Sequence, residues 1–355
     1  MNTQPEQITK PAHPKDDGAY RMQLAQVHVA PLWDALKGLV PAEPRATAQP
    51  HTWQWSVMRP RLIESGNVVS AEHAERRVLM LRNPALEGLP YATDTIYAGL
   101  QLILPGEVAR AHRHTQSALR LVLEGEGGYT AVDGIRTEMS RGDFIVTPPW
   151  KWHDHGNDGN GPVIWLDGLD LPLVSFLRAG FREEYEASNQ FPRRGNAEQV
   201  FTRFANALLP LEHRHEGMTS PIFSYPYART REVLERLARD SVIDACHGVY
   251  VRYANPLTGD WAMPTIAASM RLIPKGQTTD FFQSVDGTVL VGMEGDPSVE
   301  IQDAGHFAIG TNDVFVVPGW SRWRMSAGSS NDAVLFAYSD RPVYEKLGLY
   351  REQRS

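Results

Sequence analysis

One offset of 170 residues maps much of this chain onto itself. Thr95-Ile96 recurs as Thr265-Ile266 (265 − 95 = 170), and the same shift takes Gly106 to Gly276 and Glu124-Gly125 to Glu294-Gly295. It also takes Asp143 to Asp313, Pro148 to Pro318 and Trp150 to Trp320. Asn83-Pro84 and Asn255-Pro256 correspond at a slightly different spacing. Self-similarity at a fixed period marks a structural unit built more than once. In the first copy the segments TIYAGLQLIL, LRLVLEG, GGYTAVD, DFIVTP and VIWLDGL follow one another from Thr95, with glycine or aspartate turns between them. Short strands with turn signals at regular spacing predict an antiparallel sandwich or barrel. The chain is therefore expected to be mainly β, with two β-barrels of one design.

The repeat is informative where it fails. At the same offset His112, His114 and His153 become Phe282, Ser284 and Trp323, and Arg120 becomes Leu290. His112 and His114 are two residues apart, so on a strand both imidazoles face one way. His153 can bring a third from the far side of a Pro-Pro turn. Three neutral imidazoles at one point form a metal site with open positions. His155 has the same strand parity as His153, which leaves either as third ligand and the other as a hydrogen-bonding neighbour. No cysteine or carboxylate completes the set, and spacing alone admits zinc, iron, manganese or copper. His213 and His215 share the HxH spacing but follow a helical pattern and Pro210, and are read as surface residues.

Arg120 lies six residues after His114, on the same face of an uninterrupted strand, between Leu119 and Leu121. A guanidinium there is costly without an anion. It points to a carboxylate-bearing substrate held bidentately, the alternative being an internal ion pair to Glu124 or Asp167. Asp167 is likewise an acid in an apolar strand. Tyr97 and Gln101 share the inner face, where packing and substrate contact are both open.

The remaining composition narrows the class. A net charge of −7 over 355 residues leaves no electrostatic footprint for nucleic acid. The single cysteine, Cys246, excludes an intrachain disulfide and a cysteine zinc site. No apolar run approaches the ~20 residues of a membrane span, and the chain reads as a soluble cytoplasmic protein. From Ala19 to Val40 the apolar spacing predicts helix, restarted at Pro31. HTWQWS places Trp53 and Trp55 on one side if it is a strand. PLVSFLRAGFREEYEA, NAEQVFTRFANALLPLEH and YARTREVLERLARDS have helical spacing.

The glycine turn before HRH, and GDFIVTPPWKWH after it, resemble the two cupin motifs. The runs HRHTQSALRLVLEGEGGYTAVDG, TPPWKWHDHGN and VIWLDGLD resemble the gentisate 1,2-dioxygenases, a bicupin ring-cleaving family that includes salicylate and 1-hydroxy-2-naphthoate dioxygenases. PHTWQWS, RYANPLTG and MPTIAASMRLIPKG extend the likeness over about residues 20 to 345. The general cupin glutamate after the second histidine is replaced here by Ser117 and Ala118, as in the gentisate group. The resemblance implies two antiparallel jelly-roll barrels with helical N-terminal and linker segments. The expected boundaries are a mobile tail over 1–18, a helical and extended region over 19–66 and a metal-bearing barrel over 67–171. A helical linker over 172–246, a barrel without ligands over 247–345 and a tail over 346–355 complete them.

By the same resemblance Fe(II) is held by His112, His114 and His153. His155 is a base or hydrogen-bond donor beside it, Arg120 the carboxylate clamp, and Arg76, Gln101 and Asp167 pocket residues, Asp167 near the ring's 5-hydroxyl. The implied reaction is cleavage of gentisate by O2 between the carboxylate-bearing and 2-hydroxyl-bearing carbons, giving maleylpyruvate, in a homo-oligomer, often a tetramer. Tyr97 stands where relatives commonly have tryptophan, and Gly99 where they have alanine or glycine. These differences open the preference to salicylate, 1-hydroxy-2-naphthoate or substituted gentisates. A non-enzymatic bicupin sensor is the remaining alternative.

Overall fold

The structure is a computed structural model that describes residues 17–206, 209, 211–212, 217–240 and 242–354. His213 and His215, and all but the last two residues of the expected 1–18 tail, lie outside the described residues. The chain forms two compact units, Met1–Arg45 and Ala46–Ser355. In the first, helices Gly18–Gln26 and Leu32–Leu39 are separate, and Pro31 is the extended N-cap of the second. Its fixed φ and missing N–H suit the start of a helix and not its interior.

The larger unit is β-rich. Strand His51–Trp53 ends before Trp55, which opens helix Trp55–Val68. The two tryptophans therefore do not share a strand face as expected. The helix start is stabilised from a distance, because Trp55 N–H donates to Asp313 Oδ1 at 2.7 Å and a carboxylate suits the unpaired N–H groups there.

The first barrel is made of two six-stranded sheets. One runs, in spatial order, Ser224–Tyr225, Phe144–Thr147, Ala118–Glu124, Val163–Leu169, Tyr97–Ile103 and Arg77–Met80. The other runs Arg182–Glu184, Val108–His114, His153–Asn157, Gly128–Val132, Ile135–Met139 and Gly195–Asn196. The pairings are antiparallel except the last, where Gly195–Asn196 runs parallel to its neighbour. A second barrel repeats the design with Ala267–Ile273, Thr288–Glu294, Val314–Val317, Trp323–Ala327 and Ala333–Ser339 at the 170-residue offset.

The repeat is longer than the sequence suggested. Helices Leu171–Phe176 and Arg341–Lys346, and strands Arg182–Glu184 and Glu352–Arg354, keep the offset of 170. Helices Trp55–Val68 and Tyr227–Arg239, and strands Arg77–Met80 and Val249–Arg252, keep one of 172 (227 − 55). So part of the expected helical linker, and part of the expected C-terminal tail, are barrel elements. Residues 182–184, read as helix from spacing, form a strand because the edge of Val108–His114 offers them a ladder: Arg182 pairs with His114 and Glu184 with His112. Tertiary pairing overrides a local propensity worth only tenths of a kcal/mol per residue.

The barrels also exchange elements. His51–Trp53 pairs with Val314–Val317 of the second barrel, whereas Ser224–Tyr225 pairs with Phe144–Thr147 of the first. Outward residues Ala98, Leu100 and Leu102 of one barrel share an apolar cluster with Ala268, Met270 and Leu272 of the other. Two equivalent clamps cross between them. Thr95 Oγ1 donates to Asp340 Oδ2 and Thr265 Oγ1 to Asp170 Oδ2, both at 2.5 Å. This gives the Thr-Ile repeat a physical meaning.

Burial pushes Asp170 up to about 6 and Asp340 up to about 7. Both values lie above that of an unfolded carboxyl, so the folded chain binds more protons between about pH 4 and 7. Their contribution to stability is complete below pH 4 and is lost as pH rises through 6 to 7. Asp340→Asn is expected to flatten that fall. Between pH 5 and 8 the parent should lose up to about 3 kcal/mol relative to the variant, as measured by denaturant melts across the range.

Candidate active site

The lumen of the first barrel collects the polar residues singled out above. His112 and His114 project from strand Val108–His114, and His153 opens the neighbouring strand, paired with His112. One ligand nitrogen from each lies within 4.8 Å of the others. The ring centroids of His112 and His153 are 4.1 Å apart, and those of His114 and His153 4.8 Å. Each Nδ1–H donates to a backbone carbonyl at 2.9 Å: His112 to Arg110, His114 to Gln116 and His153 to Lys151. That fixes the tautomer and leaves three Nε2 lone pairs to converge.

His153 Nε2 is buried and has no hydrogen-bond partner among the described residues. Burial, then the Arg76 charge, lowers His112 to about 2 and His114 to about 4. Burial and the neighbouring His112 hold His153 well below its usual value. Neutral imidazole is the ligating form. The donor set therefore fits a divalent transition metal, with Arg76 as its cationic neighbour. Arg76 Nη2 lies 2.7 Å from His112 Nδ1 and touches Nε2. Burial and the nearby Arg120 lower Arg76 to about 10.

His155 is arranged differently although it shares the strand and its parity. Its Nδ1 meets Thr130 Oγ1 at 2.9 Å, and its Nε2 accepts from Arg120 Nη2 at 2.9 Å. Both nitrogens are thus engaged, and burial with the Arg120 charge keeps the ring neutral. Arg120 is only 3% exposed. Its Nη1 donates to Thr147 Oγ1 at 2.5 Å and its Nε faces Asp167 Oδ1 at 3.3 Å. Asp167 also accepts from Trp165 Nε1 at 3.0 Å. Burial raises Asp167 and lowers Arg120, and each partner's charge opposes the other's shift. Glu124, the other acid within sequence reach, is taken by Arg59 at 2.6 and 2.5 Å.

Asp167 pairs with Gly99 on one side and with Arg120 on the other. Gln101 is buried two residues along the same strand. Gly99 leaves room for Tyr97, since a Cβ at 99 would lie 2.5 Å from the Tyr97 hydroxyl. Burial and the Asp167 charge hold that phenol protonated, above its usual value. The structure thus brings His112, His114, His153, His155, Arg120 and Asp167 together, with Arg76 against the triad and Tyr97, Gly99 and Gln101 on the adjoining strand. Sequence reasoning missed Thr130 and Thr147, which hold His155 and Arg120. The available signal was a hydroxyl in each of two apolar runs, GYTAV and FIVT.

A cupin domain model matches residues 99–169. The chain is 46% identical over 346 residues to gentisate 1,2-dioxygenase 1 of Aquipseudomonas alcaligenes, covering 98% of this chain and 99% of that protein. It is 31% identical to the 5-aminosalicylate 1,2-dioxygenase of a Comamonas species, covering 95% and 90%. A crystal structure of salicylate 1,2-dioxygenase from Pseudoaminobacter salicylatoxidans, an adduct with gentisate, superposes with a TM-score of 0.89 at 33% identity, over 98% and 97% of the two chains. Near-full-length identity, the shared two-barrel architecture and the buried triad lead to one conclusion: the chain belongs to the gentisate 1,2-dioxygenase family of ring-cleaving cupin dioxygenases.

Proposed function

We propose that the enzyme cleaves gentisate (2,5-dihydroxybenzoate) with O2, using Fe(II) held by His112, His114 and His153. The observation that carries this reading is the juxtaposition of three convergent histidine ring nitrogens with a buried guanidinium. Fe(II) held by these three histidines would supply the redox chemistry that lets dioxygen react with an aromatic ring.

Everything else falls to the chain's own groups. Arg120 takes the substrate carboxylate, a charge-assisted contact made by a guanidinium only 3% exposed. Its hydrogen bond to Thr147 fixes its orientation before substrate arrives. His155 Nε2 and Asp167 are the two groups able to accept the ring hydroxyl proton. Neutral His155, with its Nδ1 held at Thr130, presents the basic nitrogen toward Arg120. The C–C bond between the carboxylate-bearing and 2-hydroxyl-bearing carbons breaks, both oxygen atoms are retained, and maleylpyruvate is the product. Arg76 and Gln101 complete the pocket. The working form in this reading is a cytoplasmic homotetramer. Among the described residues no helix is long and apolar enough to cross a membrane.

Tyr97 and Gly99 support a second reading of the substrate. The Tyr97 phenol lies over Gly99, and in this reading the pair forms one wall of the pocket. Relatives carry names that refer to 5-aminosalicylate and to 1-hydroxy-2-naphthoate. Side-by-side O2-electrode traces with gentisate, salicylate and 1-hydroxy-2-naphthoate, with product masses, decide between the readings. The expected order puts gentisate first by at least tenfold in kcat/KM, with a product heavier by one O2. Faster turnover of salicylate would transfer the assignment to the second reading.

A further inference from the structure

Among the described residues the second barrel holds a buried cation without an ion-pair partner. Leu290, Phe315, Trp323, Met325 and Leu335 form its core. Among them Arg271 stands at the register of Gln101 (271 − 101 = 170) and is only 6% exposed. The guanidinium lies 4.7 Å from the Tyr250 ring centroid and 5.4 Å from that of Trp323. Among the described residues its Nη1 reaches only the Met325 thioether, at 3.6 Å, and its Nε is buried with no hydrogen-bond partner. No acid among the described residues forms an ion pair with it. Buried charges are otherwise paired, because their desolvation is expensive.

Arg271 borders a cavity of about 20 Å³, which it shares with His247, Asp286 and Glu352. That is room for a water or a small ion. His247 is 3% exposed, and among the described residues neither of its ring nitrogens makes a hydrogen bond, although its Nε2 lies 3.9 Å from Glu352 Oε1. Glu352 is already held by Tyr350 and by Arg354, each at 2.6 Å. Asp286 is 8% exposed and keeps one carboxylate oxygen unpartnered. Its carboxylate repels every anion and a multivalent one most, so a monoanion is the anion it opposes least.

We propose that the second barrel binds a small monoanion, of chloride to formate size, between Arg271 and His247. Where the first barrel gathers neutral imidazoles around a metal cation, the second supplies its own cation and takes the counter-ion. The occupant neutralises Arg271 and stabilises the barrel from within, by the ordinary linkage of ligand to folded state.

The test uses the full chain and does not read activity, so it stands apart from the ring-cleavage reading. Thermal melts are run with sodium chloride or formate replacing sodium gluconate at constant ionic strength. The parent should gain several degrees, saturating with anion concentration. Arg271→Gln, which places here the residue found at this register in the first barrel, should lose that gain. A non-saturating rise, or an equal response in the variant, would overturn the site. Should the variant not fold, crystals of the parent grown in bromide decide. An anomalous peak within hydrogen-bond distance of the Arg271 guanidinium supports the site, and its absence refutes it.

Discussion

His153→Ala should leave a protein that neither retains a stoichiometric metal nor consumes O2 with gentisate. His153 joins the strand bearing His112 and His114 to its neighbour and brings the third Nε2 to within 4.8 Å of the other two. Without it two imidazoles on one strand remain, with ring centroids 5.5 Å apart. A borderline divalent ion held by two neutral ligands loses both affinity and geometry. Turnover is expected to fall by at least about 10³-fold, since metal-assisted chemistry supplies several kcal/mol of the lowered barrier. Metal content by atomic spectroscopy, together with the oxygen trace, checks both parts. Full turnover in the variant would remove His153 from the ligand set.

Arg120→Ala has the second largest expected effect, and it acts twice. It removes the proposed carboxylate clamp, for a loss in kcat/KM of roughly 10²- to 10⁴-fold, the range of a strong charge-assisted contact in a buried site. It also strands Asp167, whose ion-pair partner at 3.3 Å is Arg120. Breaking a buried pair from one side costs about 3–5 kcal/mol, so the melting temperature should fall too. Arg120→Lys separates the roles. It keeps the charge near Asp167 but loses the planar fork that reaches Thr147 and His155. Stability should largely recover while kcat/KM stays low. A variant that melts early yet keeps its kcat/KM would make Arg120 structural only.

Much of this architecture was readable because the chain carries its own control. The second copy keeps Gly276, Pro318 and Trp320 and replaces all three histidines, which separates scaffold from ligands without any other sequence. Strand parity then put Arg120 beside the triad, Asp167 stood out as an acid in an apolar strand, and the sheet register places the two side by side. What stayed hidden depended on long-range pairing. His51–Trp53 finds its partner at Val314–Val317, and nothing local to HTW indicates that edge. Residues 182–184 look helical until the edge of the histidine strand is available to them. His153 and His155 have the same spacing and parity. They differ only through Thr130 and Arg120, which reach His155 from other strands.

The most direct measurement is an Fe(II) titration of thoroughly metal-free protein, with O2 uptake on gentisate read at each addition. One site in one of two similar barrels requires that the rate rise linearly to one iron per chain and then stop, with one O2 consumed per gentisate. Turnover before iron is added, or a rise that continues to two irons per chain, would contradict it.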